Sequence, residues 1–144
     1  MRNIRVEKVQ SRTEVNDFIE LPKRIYADNK YYVPDLDLDI RENLTKVQAF
    51  IAYNDVGDAV GRVAAFINQK ANVKWGQKAV RFSQIDFIND FDVAKALMDA
   101  VEEWGHEQGM DKVMGPMGQY DFDKEGMPVA GFDQLSSIIE IYNA

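Results

Sequence analysis

The chain of 144 residues contains no cysteine and a single histidine, His106. Without cysteine there can be no disulfide and no thiolate metal site, and this composition is typical of a cytoplasmic protein. One histidine cannot anchor a zinc site, and no Ser-His-Asp arrangement can be argued from it. Because His106 lies near the end of a predicted helix, we interpret it as a surface residue.

Long apolar runs and clusters of basic residues are also lacking. No apolar stretch approaches the ~20 residues that cross a membrane, and residues 1–5 alternate between apolar and polar types instead of forming the core of a signal peptide. The formal net charge is −7, which disfavours nucleic-acid binding because phosphate contacts need a positive surface. We therefore expect a cytoplasmic protein that binds neither nucleic acid nor membrane.

The residues that are present are typical of one folded domain spanning 1–144. Hydrophobic residues make up 46% and charged residues 28% of the chain, which is the balance of a globular protein. Alternation of apolar and polar residues predicts strands at 4–9, 47–53, 59–67 and 80–88, and a further strand is expected at 110–114. Residues 29–43 are the least regular stretch, and 68–78 are predicted to be a polar loop that contains Trp75.

Two regions have helical spacing. Apolar residues recur from Val15 to Tyr26, but Pro22 interrupts them and predicts two short helices or a kink. The second helix, about 93–108, begins after a capping Asp90 or Asp92 and ends before Gly109. Its apolar stripe, which we expect to pack on a sheet, consists of Val93, Leu97, Ala100, Val101 and Trp104. The order β-α-α-β-β-β-α-β predicts an α/β fold with a mixed sheet, in which strands 80–88 and 110–114 are parallel neighbours.

Several short motifs occur in this order of elements. They are VGRVAA at 60–65, AVEEW at 100–104, GM at 109–110, GPM at 115–117 and GMPVAGFD at 126–133. Together they resemble the GNAT acetyltransferase superfamily, and within it the N-terminal part of a group of bacterial GNAT-like proteins. In that group the pattern continues into a tyrosine-rich helix and a final hairpin. The resemblance implies an acyl-CoA N-acyltransferase fold lacking those C-terminal elements, with 117–144 as a weakly structured tail.

The resemblance also implies a cofactor site. In GNAT proteins the fourth strand offers main-chain groups to the pantetheine arm of acetyl-CoA, and the N-terminus of the following helix receives the pyrophosphate. By position this site covers residues 85–94. The cofactor, acetyl-CoA or another acyl-CoA, would be bound by Ile85, Phe87, Ile88, Val93 and Ala94.

Candidate catalytic groups follow from the same resemblance. Asp86 lies where some GNAT enzymes keep a carboxylate general base, and the alternative is a solvated aspartate at a strand end. Tyr142 precedes the helix that often supplies a tyrosine acid, and the alternative is an aromatic anchor. The phosphate loop departs from the family pattern, because it has no glycine and contains Asp90 and Asp92. These carboxylates cap the helix and would repel a pyrophosphate.

Two functions therefore remain open from the sequence. One is transfer of an acyl group from acyl-CoA to a small-molecule amine, weak or absent in this chain because of the departures above. The other is a non-catalytic binding or structural domain that keeps the acyltransferase fold. A third alternative is a plain fragment, in which the missing helix and hairpin leave a sheet edge open and favour self-association.

The acidic motifs do not predict a metal site. Residues 121–126 resemble the first half of a calcium loop, but Phe132 stands where the bidentate glutamate is required. Asp35, Asp37 and Asp39 alternate in a similar way, but without the glycine and glutamate of such a loop. We interpret them as an exposed strand edge or loop. Trp75 is interpreted as loop cover and Trp104 as part of the core.

Overall fold

The structure, a computed structural model, describes residues 3–120 and 123–135 and is built on one five-stranded sheet. The strands are β1 (Arg5–Lys8), β2 (Gln48–Tyr53), β3 (Ala59–Phe66), β4 (Ala79–Phe87) and β5 (Lys112–Met114), and they lie in that order. The helices are α1 (Arg12–Ile25), α2 (Asp37–Leu44), α3 (Gln69–Trp75) and α4 (Phe91–Glu107). Only the β4–β5 pair is parallel, so the predicted mixed sheet is confirmed.

Helix α4 covers one face of the sheet. Leu97 and Val101 are fully buried in a cluster that includes residues of β2, β3 and β4, and Trp104 packs against its margin. Gly61 permits the close approach, since a Cβ atom there would lie 2.7 Å from Cγ1 of Val93. His106 is exposed. The predicted buried stripe and surface histidine are both confirmed.

Helix α1 covers the opposite face. It begins with a capping box, in which the Ser11 hydroxyl accepts from the Glu14 N–H and the Glu14 carboxylate accepts from the Ser11 N–H. Phe18, Ile19 and Leu21 are fully buried against the sheet. The sheet therefore carries a separate apolar cluster on each of its faces.

The prediction that Pro22 divides this region into two short helices is wrong. Helix α1 runs from Arg12 to Ile25 with Pro22 inside it. A proline has no N–H to donate to the carbonyl four residues earlier, here that of Phe18. The Arg62 guanidinium, from β3, replaces the missing donor at 2.8 Å. A tertiary contact thus compensates for the proline.

Two further helices occupy regions that the sequence predicts to be irregular. The stretch with Asp35, Asp37 and Asp39 is not a strand edge, because α2 begins at Asp37 and buries Ile40. Acidic residues in a first turn favour a helix through its dipole. The predicted polar loop at 68–78 contains α3, which leaves Trp75 66% exposed. Trp75 therefore does not serve as loop cover.

After β5 the described residues contain no further helix or strand, but they contact the body of the domain. The Met117 N–H donates to the Phe82 carbonyl at 2.9 Å, and Lys124 pairs with Asp35 at 2.6 Å. The predictions for Asp121 and Tyr142 fall outside the described residues. In 3–120 and 123–135, no helix has the length and hydrophobicity of a membrane span, and no three metal-ligand side chains come together.

Candidate functional site

Strands β4 and β5 separate soon after they begin to pair. Their register covers only Ala79–Arg81 against Lys112–Met114, with one further bond from Met117 to Phe82. Beyond that point, residues 83–87 of β4 pair with β3 alone among the described residues. The main chain on the other side of β4 therefore forms an open edge, which leads towards the N-terminus of α4.

A β-bulge lies within this open edge. Gln84 adopts a left-handed backbone with φ of 49°, and the register with β3 shifts between Arg62 and Ala64. The Gln84 amide oxygen accepts a hydrogen bond from Asn43 of α2 at 2.8 Å. Bulges re-aim side chains and are frequent beside active sites. This bulge sends Ile85 to the α4 face of the sheet and Asp86 to the α1 face.

The residues predicted to bind the cofactor surround this edge but differ in exposure. Ile85 and Val93 are buried in the α4-side cluster, and Phe87 and Ile88 pack against it. The Ala94 N–H already donates to the Asp90 carbonyl at 3.2 Å, as helical geometry requires. The side chains of Ile85 and Val93 thus belong to the core, and only their main chains could reach a ligand.

The N-terminus of α4 is occupied by its own carboxylate cap. Asp90 accepts a hydrogen bond from the Asp92 N–H at 2.9 Å, and Asp92 is exposed in the first turn. Both residues place negative charge beside the amides of that turn. Phe91, between them, is 79% exposed.

Asp86 is a buried, fully engaged carboxylate and not the solvated strand-end residue of our alternative interpretation. It is 5% exposed. One oxygen accepts from the Tyr26 hydroxyl at 2.9 Å, and the other accepts from Nε and Nη2 of Arg62 at 2.9 and 2.8 Å. Because both oxygens are occupied by these partners, the carboxylate is poorly placed to take a proton from a substrate.

Tyr26 and Tyr32 complete a polar network on the α1 face, and our sequence reasoning missed them. Their rings lie 4.7 Å apart. Burial raises the pKa of Tyr32 to about 12, and burial, followed by the Asp86 charge, raises that of Tyr26 further. One signal was present in the sequence: Arg62 is a lone charge in an apolar strand, and a buried charge requires a partner.

Comparison with known proteins finds similarity to curated protein sequences and, separately, to solved structures. No protein-family model matches the chain. It is 30% identical over 132 residues to Protein YghO of Escherichia coli K12, covering 85% of this chain and 34% of that protein. It is 28% identical over 142 residues to a bacterial ceramide synthase of Caulobacter vibrioides, covering 91% and 37%. The chain thus spans about a third of the length of these curated relatives.

Comparison with solved structures identifies the fold. A GNAT-family acetyltransferase of Staphylococcus aureus Mu50 superposes with a TM-score of 0.61 at 16% identity, covering 82% of this chain and 77% of that one. The aminoglycoside N-acetyltransferase AAC(6')-Iy, in complex with CoA, gives 0.57 at 20% identity, covering 82% and 79%. The chain therefore has the fold of the GNAT acetyltransferases, as its motifs predicted.

Proposed function

We propose that this chain forms the acyl-CoA-binding part of an N-acyltransferase. The observation that carries the proposal is the separation of β4 from β5, which leaves residues 83–87 with an open main-chain edge next to the start of α4. An extended pantetheine arm can hydrogen bond to such an edge in the manner of an added strand. The solved neighbour with CoA bound has the same fold, which supports this choice of cofactor.

An amine is the acceptor that the relatives favour. The aminoglycoside acetyltransferases among the structural neighbours act on amino sugars by name, and ceramide, the product named for the Caulobacter relative, is the amide of a long-chain amino alcohol. The similarity to the ceramide synthase extends over 91% of this chain. We therefore propose an amine acceptor, with a lipid amine as the more specific class.

We propose that Asp86 positions β4 and does not act as the general base. Its contacts with Arg62 and Tyr26 fix the residues that follow the bulge at Gln84. Acceleration would then come mainly from holding the thioester and the amine in a reactive geometry. A group with a free lone pair, outside this network, would have to accept the amine proton.

A non-catalytic domain that keeps this fold is the second candidate. The two carboxylates at the start of α4 favour it, since Asp90 already caps the amides that a pyrophosphate would use. We accordingly propose that CoA binds weakly to the chain as it stands. The two candidates differ in whether removal of this charge creates a CoA site.

The double variant D90N/D92N is expected to bind CoA more tightly than the unaltered chain. Asparagine is as good a helix cap as aspartate, so the change removes charge and keeps the fold. Two charges near a pyrophosphate at a solvated site cost about 1–2 kcal/mol, which corresponds to about a 5- to 30-fold gain in affinity. Titration calorimetry with CoA at about 0.1 M ionic strength measures it.

The matched control is D99N/E102Q, which removes the same charge from exposed positions further along α4. It should change CoA affinity far less, because those carboxylates lie about 10 Å or more along the helix axis from Asp92, which is about one Debye length at 0.1 M. Tight binding by the unaltered chain would contradict the electrostatic argument. Absence of binding by both D90N/D92N and the unaltered chain at high CoA concentration would favour the non-catalytic domain.

A further inference from the structure

The lysines of this acidic chain fall into two groups, those that form an ion pair with a described carboxylate and those that do not. Five form ion pairs with carboxylates: Lys8, Lys23, Lys46, Lys95 and Lys124. Of the other five, Lys30 lies over the Tyr31 ring, and the remaining four belong to one end of the sheet. These four are Lys70, Lys74, Lys78 and Lys112, all exposed and without an ion pair to any described residue. Four of the five lysines without an ion pair among the described residues thus lie at one end of the sheet.

Helix α3 holds this end of the molecule in a fixed orientation. Its inward residue, Asn72, is 6% exposed and bonds with both main-chain groups of Ala79: its amide nitrogen donates to the carbonyl at 2.9 Å, and its oxygen accepts from the N–H at 3.2 Å. Asn68 caps the start of the helix, and Gly76, with φ of 59°, ends it. A seven-residue helix is too short to be stable alone, so these contacts fix which residues it presents to solvent.

The solvent-facing side of α3 combines charge with apolar surface. Val73 and Trp75 are 73% and 66% exposed, and the Lys74 ammonium lies 5.0 Å from the centre of the Trp75 ring. Lys78 and Lys112 are adjacent, because the Lys112 N–H donates to the Lys78 carbonyl at 3.1 Å. We define these six residues as the α3 surface: Lys70, Val73, Lys74, Trp75, Lys78 and Lys112.

We propose that the α3 surface binds anionic phospholipid membranes, in contrast to the expectation from the sequence alone that the chain binds no membrane. Lysines attract anionic headgroups, while an exposed tryptophan and an aliphatic side chain enter the boundary between headgroups and acyl chains. A nucleic acid would use the lysines but would leave Val73 exposed to water. The combination of an exposed tryptophan with unpaired lysines therefore favours a lipid surface.

The net charge of −7 does not prevent this contact. At physiological ionic strength the Debye length is about 8 Å, so a headgroup at the α3 surface responds mainly to the charges beside it. The acidic residue placed among these lysines by the main chain is Asp111, whose N–H also donates to the Lys78 carbonyl. Four positive charges there exceed one negative charge.

The α3 surface lies at the opposite end of β4 from the proposed CoA site. Helix α3 precedes β4 and α4 follows it, and the nine residues of the strand span roughly 25–30 Å. Membrane binding at one end would leave the other end in water. The inference is thus independent of acyl transfer, and its test requires no CoA.

Co-sedimentation with vesicles of phosphatidylcholine, with and without phosphatidylglycerol, tests the proposal. The chain should sediment with the anionic vesicles at about 0.15 M ionic strength and be released at about 1 M salt. The triple variant K70Q/K74Q/K78Q should partition roughly 100-fold less, since each lysine near an anionic surface contributes about a fivefold effect. The control triple K30Q/K46Q/K95Q changes the net charge equally at exposed positions elsewhere and should bind like the unaltered chain.

Tryptophan fluorescence gives a second readout. In a W104F background Trp75 is the remaining tryptophan, and its emission should shift to the blue on anionic vesicles as the ring leaves water. Failure to bind anionic vesicles at about 0.15 M ionic strength, an equal loss in both triple variants, or Trp75 emission that does not move would each overturn the proposal. Binding to an oligonucleotide without binding to vesicles would assign the lysines to nucleic acid instead.

Discussion

Replacement of Asp86 by alanine is expected to lower the free energy of unfolding by about 3–5 kcal/mol. Arg62 is 3% exposed, so the variant would leave a buried guanidinium without its counter-charge. The Tyr26 hydroxyl would also lose its acceptor. Both unsatisfied groups destabilise the folded state. Urea denaturation followed by circular dichroism measures the loss.

Two comparisons test this explanation. D99A removes a carboxylate that pairs with Lys95 on the surface, and it should change stability by less than about 0.5 kcal/mol. R62M/D86L replaces the buried pair by apolar residues and should be more stable than D86A, because no charge remains buried. Recovery should be incomplete, since the Phe18 carbonyl would lose the Arg62 donor. A cost for D86A as small as that for D99A would refute the role of burial.

Leu97→Ala is expected to cost on the order of 2–5 kcal/mol. Leu97 is fully buried at the centre of the α4 face, and the glycine beneath it, Gly61, has no side chain that could move to fill the space. The variant therefore leaves a cavity in addition to losing buried apolar area. Chemical denaturation with the denaturant slope held common to both proteins gives the difference.

The matched control is Leu38→Ala, at a leucine that is 75% exposed on α2. The chemical change is the same, and a surface site should respond by no more than about 0.5 kcal/mol. Equal effects at the two sites would mean that Leu97 does not lie in the core. In that case the packing of the apolar face of α4 against the sheet would be wrongly described.

The parts of the fold predicted from sequence are those with long, regular patterns. The apolar stripe of α4 repeats through four turns, and only one of its faces can be buried, so Leu97 and Val101 could be placed in the core. The stretch between the last two strands is long enough for a crossover helix that packs along the sheet, and such a connection favours a parallel pair. The local spacing of residues was sufficient for these two predictions, because neither depended on a residue far away in the sequence.

The polar network could not be placed, because its geometry depends on one irregular residue. Strict alternation along β4 would put Phe82 and Asp86 on the same face of the sheet. The bulge at Gln84 adds a residue, and Asp86 moves to the face that Arg62 occupies. Nothing in the local sequence marks Gln84 for a left-handed backbone. Asp86 is buried because β4 pairs with β3, and the residue pattern of a single strand carries no information about this pairing.

The short helices were missed for a related reason. Helix α3 has seven residues and buries only Asn72, so it shows no apolar period that could be recognised. Its signals are the Asn68 cap and Gly76, which are equally common in loops. The lysines at 70, 74 and 78 appear scattered in the sequence. Helix α3 places Lys70 and Lys74 side by side, and Lys78 follows just after the end of this helix.

The bond between the Phe18 carbonyl and Arg62 also has a consequence for the order in which the domain folds. Helix α1 cannot close its own hydrogen-bond ladder at Pro22, and the donor that completes it lies 44 residues away along the chain. The Tyr26 hydroxyl at the end of this helix bonds to Asp86, 60 residues away. Contacts between such distant residues form late when loop closure limits the rate. We expect Arg62 and Tyr26 substitutions to accelerate unfolding and leave the refolding rate nearly unchanged. In that sequence of events, β2, β3 and β4 pair first, and β1 and the N-terminal helix, whose contacts are equally distant along the chain, join them last.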